Sequence, residues 1–308
     1  MKKVFIILLG LLAGVQALLA QGKDALPFTC IERNPVTLAL AGAGSASSAT
    51  AAYTAFSNAS VLPFFDGKMD AGFSYQLWAP GTVRSNHIHA GVAYKPTPRI
   101  GISLGYAFQG NGSYTVVDEE GVAAGTFAPM DHLVALGVGF GLGDKVSLGV
   151  NARYALQQVS PDVRYHGFSG DLSLAWQVIE GLRLSAGVAV IGNKIASSEG
   201  EKYAQPAYAT LAIDWTTVFA EDHSLELMAD ADYFFSNSFA AAAGVQYAWK
   251  DMLFVRGGYR FATKSCVIPS HLGLGIGAKF YGVRIDVGYI TASSVLGNTV
   301  TVGVGYSF

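Results

Sequence analysis

The chain is 308 residues long, 51% hydrophobic and 12% aromatic, with 37 glycines and a net charge of −2 from 20 basic and 22 acidic residues. That near-neutral balance, with no basic cluster, excludes a nucleic-acid-binding chain and a polybasic membrane-surface patch. A mean hydropathy of +0.35 beside so much glycine excludes an ordinary soluble helical domain and points to strands in a membrane.

Residues 1–20 begin with Lys2 and Lys3, continue as an uncharged apolar run and end on Ala20. This is the pattern of a secretory signal peptide, too short for a spanning helix and without a stop-transfer flank. Cleavage is expected after Ala20, so that the mature chain starts at Gln21. No later run approaches the roughly 20 apolar residues that a membrane helix requires. Cys30 lies well beyond the apolar run and is not a lipidation site on this reading. Cys30 and Cys266 are far apart, and although an oxidising compartment permits pairing, they are expected to remain two unpaired small residues.

Residues 21–67 lack the alternation of a barrel wall. The stretch 38–60 is rich in Ala, Ser and Gly, which allow close packing, and is long enough for one or two short helices. Leu38, Leu40, Tyr53, Phe56, Val61, Leu62, Phe64 and Phe65 argue against an exposed tail. The segment is expected to form a small N-terminal plug or hatch inside a lumen; a mobile periplasmic tail is the alternative.

From residue 68 to 308 the chain repeats a unit of about ten residues with period two. In the first unit Met69, Ala71, Phe73, Tyr75 and Leu77 oppose Asp70, Gly72, Ser74 and Gln76; in the last, Val300, Val302, Val304, Tyr306 and Phe308 oppose Thr299, Thr301, Gly303, Gly305 and Ser307. Strands are predicted over 68–78, 84–95, 99–116, 122–141, 145–158, 164–178, 182–192, 204–215, 223–234, 238–249, 252–262, 270–280, 282–291 and 297–308. Fourteen is an even number, as a closed single-chain barrel requires. The fold class is therefore all-β, a 14-stranded antiparallel transmembrane barrel.

Connections after even-numbered strands are mostly short, with 216–222 the exception, and those after odd-numbered strands are generally longer. This alternation predicts an outer-membrane protein with both termini in the periplasm. Outer-membrane lipids and the barrel-assembly machinery are its expected partners, the latter through a C-terminal signal that includes Tyr306 and Phe308. A soluble β-sandwich is the alternative, but it would turn its aromatics into a core and expose charge.

The inward face carries Asp70, Arg153, Asp171, Glu226, Asp230, Asp232, Arg256, Arg260, Arg284 and Asp286. A closed barrel satisfies such groups by pairing, hydrogen bonding or lumen water. They are expected to form a charge network across the lumen, with a solute-selective ring as the alternative. His87 and His89 share one strand face and read as ordinary rim residues. No H-x-x-x-H pair, G-x-S-x-G element or Cys cluster occurs, so neither a catalytic nor a metal site is expected, and no cofactor.

Several stretches resemble the PorV/PorQ group of FadL-like barrels, associated with type IX secretion in Bacteroidota-like bacteria. In the N-terminal segment, Ala39-Leu-Ala-Gly-Ala-Gly44 and the run 51–64 are similar to a small-residue stretch leading into an Asn-Pro-Ala-x-x-Leu motif. Asn58 and Leu62 match it, and Ala59 stands where proline is usual. Phe73-Ser-Tyr-Gln-Leu-Trp78, the run 118–127 and the run 143–151 also resemble pieces of that group. The most specific matches are Phe254-Val-Arg-Gly-Gly-Tyr259, Leu272-Gly-Leu-Gly-Ile-Gly-Ala-Lys279 and Ile285-Asp-Val-Gly-Tyr289, with Gly244-Val-Gln-Tyr-Ala-Trp before them and Gly297-Asn-Thr-Val after. The resemblance implies a FadL-like barrel with an N-terminal plug. It implies first an accessory of protein export to the cell surface, whose partners are secreted proteins with C-terminal targeting domains; a channel for hydrophobic small molecules is the alternative.

Overall fold

A strand with one apolar and one small-polar face closes into a barrel that hides the polar face and offers the apolar one to lipid. The computed structural model describes residues 24–78, 85–117, 121–197, 200–291, 293 and 298–308. The expected signal peptide lies outside the described residues, as does Gly297 of the last motif.

In chain order the strands are β1 Met69–Trp78, β2 Ser85–Thr97, β3 Ile100–Gly110, β4 Tyr114–Val117, β5 Ala123–Phe127 and β6 Met130–Gly141. They continue with β7 Val146–Gln158, β8 Arg164–Ile179, β9 Leu182–Gly192, β10 Ile195–Ala196, β11 Lys202–Tyr203 and β12 Tyr208–Ala220. The last are β13 His223–Phe234, β14 Ser238–Trp249, β15 Leu253–Ala262, β16 His271–Phe280, β17 Val283–Thr291 and β18 Thr299–Ser307. Fourteen of them form one closed antiparallel barrel in sequence order, with β1 paired to β18; β4–β5 and β10–β11 are two small separate hairpins. The seam runs from Asp70 opposite Ser307 to Leu77 opposite Val300. It is extended by Phe308, whose carbonyl accepts from the N–H groups of Lys68 and Met69 at 2.6 and 2.9 Å.

Burial is inverted relative to a soluble protein. Phe73 is 46% exposed, whereas its strand neighbours Ser74 and Gln76 are fully buried. The same holds for Val302, Val304 and Tyr306 against Thr299 and Thr301. So extensive an apolar exterior requires lipid around it. No helix among the described residues is long and apolar enough to cross a membrane; the crossing is made by strands. Toward the end that carries the longer connections, outward tyrosine hydroxyls are tied to polar neighbours. Tyr75 bonds Asn86 at 2.9 Å, Tyr106 bonds His132 at 2.9 Å and Tyr154 bonds His166 at 2.8 Å. Such amphipathic rings mark the bilayer interface.

At the opposite end the turns are tight. Tyr281 and Gly282 have φ of 50° and 81°, both positive as in type I′ hairpins. Two expectations need correction. The anticipated long connection 216–222 is absent, because β12 runs on to Ala220 and leaves two turn residues; a register shift between Val218 and Ala220 breaks the alternation there. The expected strands 99–116 and 122–141 each divide in two. Wall pairing ends at Gly110 opposite Met130, and β4 and β5 pair only with each other; Pro129, with no N–H to donate, sits at the break. His87 and His89 sit near the same end of the wall, next to Asn86 opposite Gly110, and their shared face points inward, 1% and 2% exposed.

Residues 24–67 lie within the barrel. Their regular pieces are short: 3-10 turns at Pro27–Cys30, Ala51–Phe56 and Ala59–Phe64, and one helix, α1, Pro35–Ala39. Asn34 caps α1 by accepting from Val36 N at 3.1 Å, with Pro35 at the first helical position, where its missing N–H costs nothing. Leu26, Leu38, Leu40 and Leu62 are at most 2% exposed. The backbone comes so near the wall that a methyl group added at Gly91 would lie 2.0 Å from Ala52 O, and one at Gly149 2.1 Å from Ser60 N. Inward glycine is thus what admits the segment.

Candidate functional site

The inward charges fall into two sets. One joins strand to strand: Arg153 pairs with Asp171, Arg256 with Asp286 at 2.7 Å, and Arg260 with Asp232 at 3.2 Å. Arg284 lies 3.0 Å from Asp286 and 3.8 Å from Asp70. Asp171 also accepts from Val190 N at 2.8 Å, holding a β-branched residue at φ 58° beside a register shift in β8–β9. These pairs are almost fully buried, so each depends on its partner to offset desolvation.

The other set grips the N-terminal segment. Asp230 accepts from the N–H groups of Gly44 and Ser45 at 2.8 and 3.0 Å. Glu226 accepts from Ser47 Oγ at 3.1 Å, and Arg284 donates to Ala49 O at 3.3 Å. Asp70 accepts from Ala52 N at 2.8 Å. The sequence-predicted lumen residues are therefore brought together, but around a turn at 44–50 as much as around one another.

Three residues outside that predicted set are equally involved. Arg183 donates to Ala46 O and Ser48 Oγ, both at 3.0 Å, and lies over the Phe64 ring. Asn151 donates to Thr54 O and Ala55 O at 2.9 Å and accepts from Ala59 N at 3.2 Å. Both sit at inward positions of their strands, so period two alone marks them. Arg33 carries no such signal. It is buried in the segment, donates to the carbonyls of Phe28, Thr29 and Ile31, and lies over Phe56 at 5.3 Å. Burial, aided by Arg153, lowers its pKa to about 10.

Of the motif residues, Asn58 caps the turn Ala59–Phe64, accepting from Ser60 N at 3.0 Å and donating to Ser45 O at 2.7 Å. Leu62 is buried against Gly101. Ala59, where proline was expected, is fully buried and packs against Gly137. Tyr306 and Phe308 face outward with their rings 5.6 Å apart.

Among the cavities beside the segment, two have room for more than a water molecule or two. One, of about 120 Å³, lies between it and the wall and is lined by Leu38, Tyr53, Phe56, Trp78, Tyr208, Phe234, Ile268 and Ile290, with Arg33, Arg153, Arg260 and Cys30 among its polar members. Arg153 and Arg260 are already paired with aspartates, and Arg33 is committed to carbonyls. Burial pushes the Cys30 thiol up to about 12 and the Tyr53 hydroxyl likewise to about 12, so both stay neutral. The cavity therefore offers aromatic and aliphatic faces beside a polar side that includes Glu32, Asn34, Ser45 and Ser57. The other, of about 700 Å³, opens at the tight-turn end and is polar, with Arg183, Asp214, Glu226, Arg256, Lys279 and Arg284 on its wall. Both cysteines are free. No group of three or more His, Cys, Asp or Glu among the described residues is placed to hold a metal ion.

The sequence matches no protein-family model and no curated protein. Solved structures do match. The Ralstonia pickettii toluene transporter TbuX superposes with a TM-score of 0.63 at 15% identity, over 91% of this chain and 99% of that one. The chain has the FadL-like barrel fold. The CymD monoaromatic hydrocarbon channel gives 0.64 at 13% identity, over 89% of this chain and 97% of that one. A Pseudomonas aeruginosa FadL homologue gives 0.55 at 12% identity, over 89% and 98%. At such identities the likeness is one of fold. It bears out the fourteen-stranded FadL-like architecture expected from the period-two pattern, and it does not extend to the PorV/PorQ group.

Proposed function

We propose that this FadL-like barrel is an outer-membrane channel for small hydrophobic molecules about the size of one aromatic ring, with both termini in the periplasm. The observation that carries the reading is the cavity of about 120 Å³ walled by Tyr53, Phe56, Trp78, Tyr208 and Phe234. A protein cavity of roughly 150 Å³ accepts benzene, and burial of apolar surface drives such binding. The pairing of Arg153 and Arg260 with aspartates favours a neutral solute over an anion at those two positions. The fold shared with a toluene transporter and a monoaromatic hydrocarbon channel supports hydrophobic-solute passage over the export-accessory role. The barrel wall meets outer-membrane lipids through its apolar band.

The test is uptake of radiolabelled toluene by cells that express the chain. Expression is expected to raise the initial rate, and Phe234→Arg, which places a charge in the cavity, to return it to background. Equal uptake with and without the barrel would sink the reading.

A further inference from the structure

Two outward tyrosines at the long-connection end are tied to histidine, where three others are tied to asparagine. Tyr106 OH meets His132 Nδ1 at 2.9 Å and Tyr154 OH meets His166 Nδ1 at 2.8 Å, while Tyr75, Tyr233 and Tyr289 meet Asn86, Asn237 and Asn298. We propose that His132, His166 and Arg164 form a binding site on the outer wall for the phosphorylated headgroup of an outer-leaflet lipid. The inference rests on the orientation proposed above, which sets this end of the barrel at the cell surface.

The register brings the two pairs side by side. β3, β6, β7 and β8 are consecutive in the wall, and His132 and His166 stand opposite Leu156, one on either side of it. Two strand spacings, about 10 Å, separate them. One pleat nearer the middle of the wall the row is Tyr106, Val134, Tyr154 and Phe168; one pleat nearer the rim, Arg164 stands opposite Gln158. Each tyrosine therefore reaches diagonally to the histidine of the next strand and props its ring. A hydroxyl that donates to Nδ1 keeps the imidazole hydrogen on Nε2, and among the described residues neither Nε2 has a partner. The Arg164 side chain is exposed and likewise makes no ion pair or hydrogen bond among the described residues.

A lipid sorts its parts along the same axis. Acyl chains meet Val134 and Phe168, and the headgroup meets the row above, where the Phe108 ring lies 5.2 Å from His132. Two N–H donors and a guanidinium suit an anion with several acceptor oxygens. The spread of the three favours a headgroup over a single free ion, and their place on the lipid-facing wall means that the anion is presented from the bilayer. Nearby acids do not answer them: Asp131 points into the lumen, 2% exposed, and Asp162 lies in the turn between β7 and β8, outside the wall. The tight-turn end supplies the comparison. There His223 Nδ1 meets Tyr247 OH at 2.6 Å, but this histidine stands opposite Trp249 and directly follows Glu221 and Asp222, so no phosphate is expected beside it.

The experiment titrates the purified full chain with bisphosphorylated lipid A and reads bound lipid by native mass spectrometry, with heat-modifiable gel mobility reporting folded barrel. His132→Phe and His166→Phe keep a ring in the row and remove its N–H. Each is expected to weaken binding about fivefold, and Arg164→Gln, which removes a charge-assisted contact, about tenfold. His223→Phe is expected to match the unaltered chain. Lipid A stripped of its phosphates is expected to bind more weakly than the intact lipid, and excess inorganic phosphate to leave lipid binding unchanged. Folded variants that all bind like the unaltered chain, or stripped lipid that binds equally, would overturn the site. Displacement by inorganic phosphate would reassign it to a free anion. Orientation is read separately, by impermeant maleimide on intact cells carrying Cys266→Ser and Lys264→Cys, since Lys264 is exposed in the connection 263–270. Labelling is expected; labelling only after the cells are disrupted would overturn the orientation and the outer leaflet with it, whereas the binding outcomes bear on the site alone.

Discussion

Asp230, in the middle of β13, accepts from the backbone N–H of Gly44 at 2.8 Å across 186 residues of chain. With Ser45 N at 3.0 Å on its second oxygen, one carboxylate satisfies two successive peptide groups. Asp230→Ala leaves the buried Gly44 N–H and the half-buried Ser45 N–H without this partner, and is expected to cost ~2–3 kcal/mol. Asp230→Asn, which retains one acceptor, is expected to cost less. Urea unfolding in detergent micelles measures both, and protease cleavage within residues 44–50 should rise in the same order. Equal midpoints would show that the turn is held by other contacts.

Arg153 and Asp171 make a buried wall-to-wall pair, and a single substitution strands a charge. Arg153→Met is expected to lower stability by ~3–5 kcal/mol. Adding Asp171→Leu should recover only part of the loss, because Asp171 also holds Val190 N. Thermal transitions of the two variants, read by heat-modifiable mobility, check this. Full recovery would mean that the Val190 contact contributes nothing.

Gly257 and Gly258 are neighbours on opposite faces of β15. A methyl group at Gly257 meets nothing nearer than Leu274 at 3.7 Å, whereas one at Gly258 would lie 2.4 Å from Leu40 O. Gly258→Ala is expected to cost ~1–3 kcal/mol, with loosening of the N-terminal segment, while Gly257→Ala stays within ~0.5 kcal/mol. Unfolding midpoints with limited proteolysis separate the two. Equal effects would place the segment away from this strand.

Cys30 offers a test by pH. Desolvation raises its thiol from 9.0 to about 12, so at pH 8 far less of it is the reactive thiolate than for an unperturbed thiol. In a Cys266→Ser background, N-ethylmaleimide labelling is expected to be slow at pH 8 and to quicken about tenfold per pH unit toward 12. The same shift makes the folded state hold its proton longer than the unfolded one. Its contribution to stability is therefore lost as pH rises from 9 toward 12. Labelling that levels off near pH 9 would contradict a buried thiol.

The wall was legible in the sequence because period two is imposed by lipid on one side and the lumen on the other. Phe73 against Ser74 and Val302 against Thr301 show that constraint residue by residue. It fails where geometry interrupts it, at the shift between Val218 and Ala220, and where alternation continues past the wall, as in β4 and β5. Inward charges could be named from their parity, but not their partners. Asp230 and Glu226 turn toward the segment 44–50, whose Gly-, Ala- and Ser-rich backbone carries no periodic signal. Arg33 was out of reach for the same reason, since its place depends on how an irregular chain folds back on itself.

The seam between β1 and β18 also ties the wall to what it encloses. β18 pairs with the strand that directly follows the N-terminal segment, and that segment lies at backbone contact distance of Gly91, Gly149 and Gly258. Wall and contents therefore meet at one join, as a cask's staves meet at one hoop, and the carbonyl of Phe308 on Lys68 and Met69 fastens it.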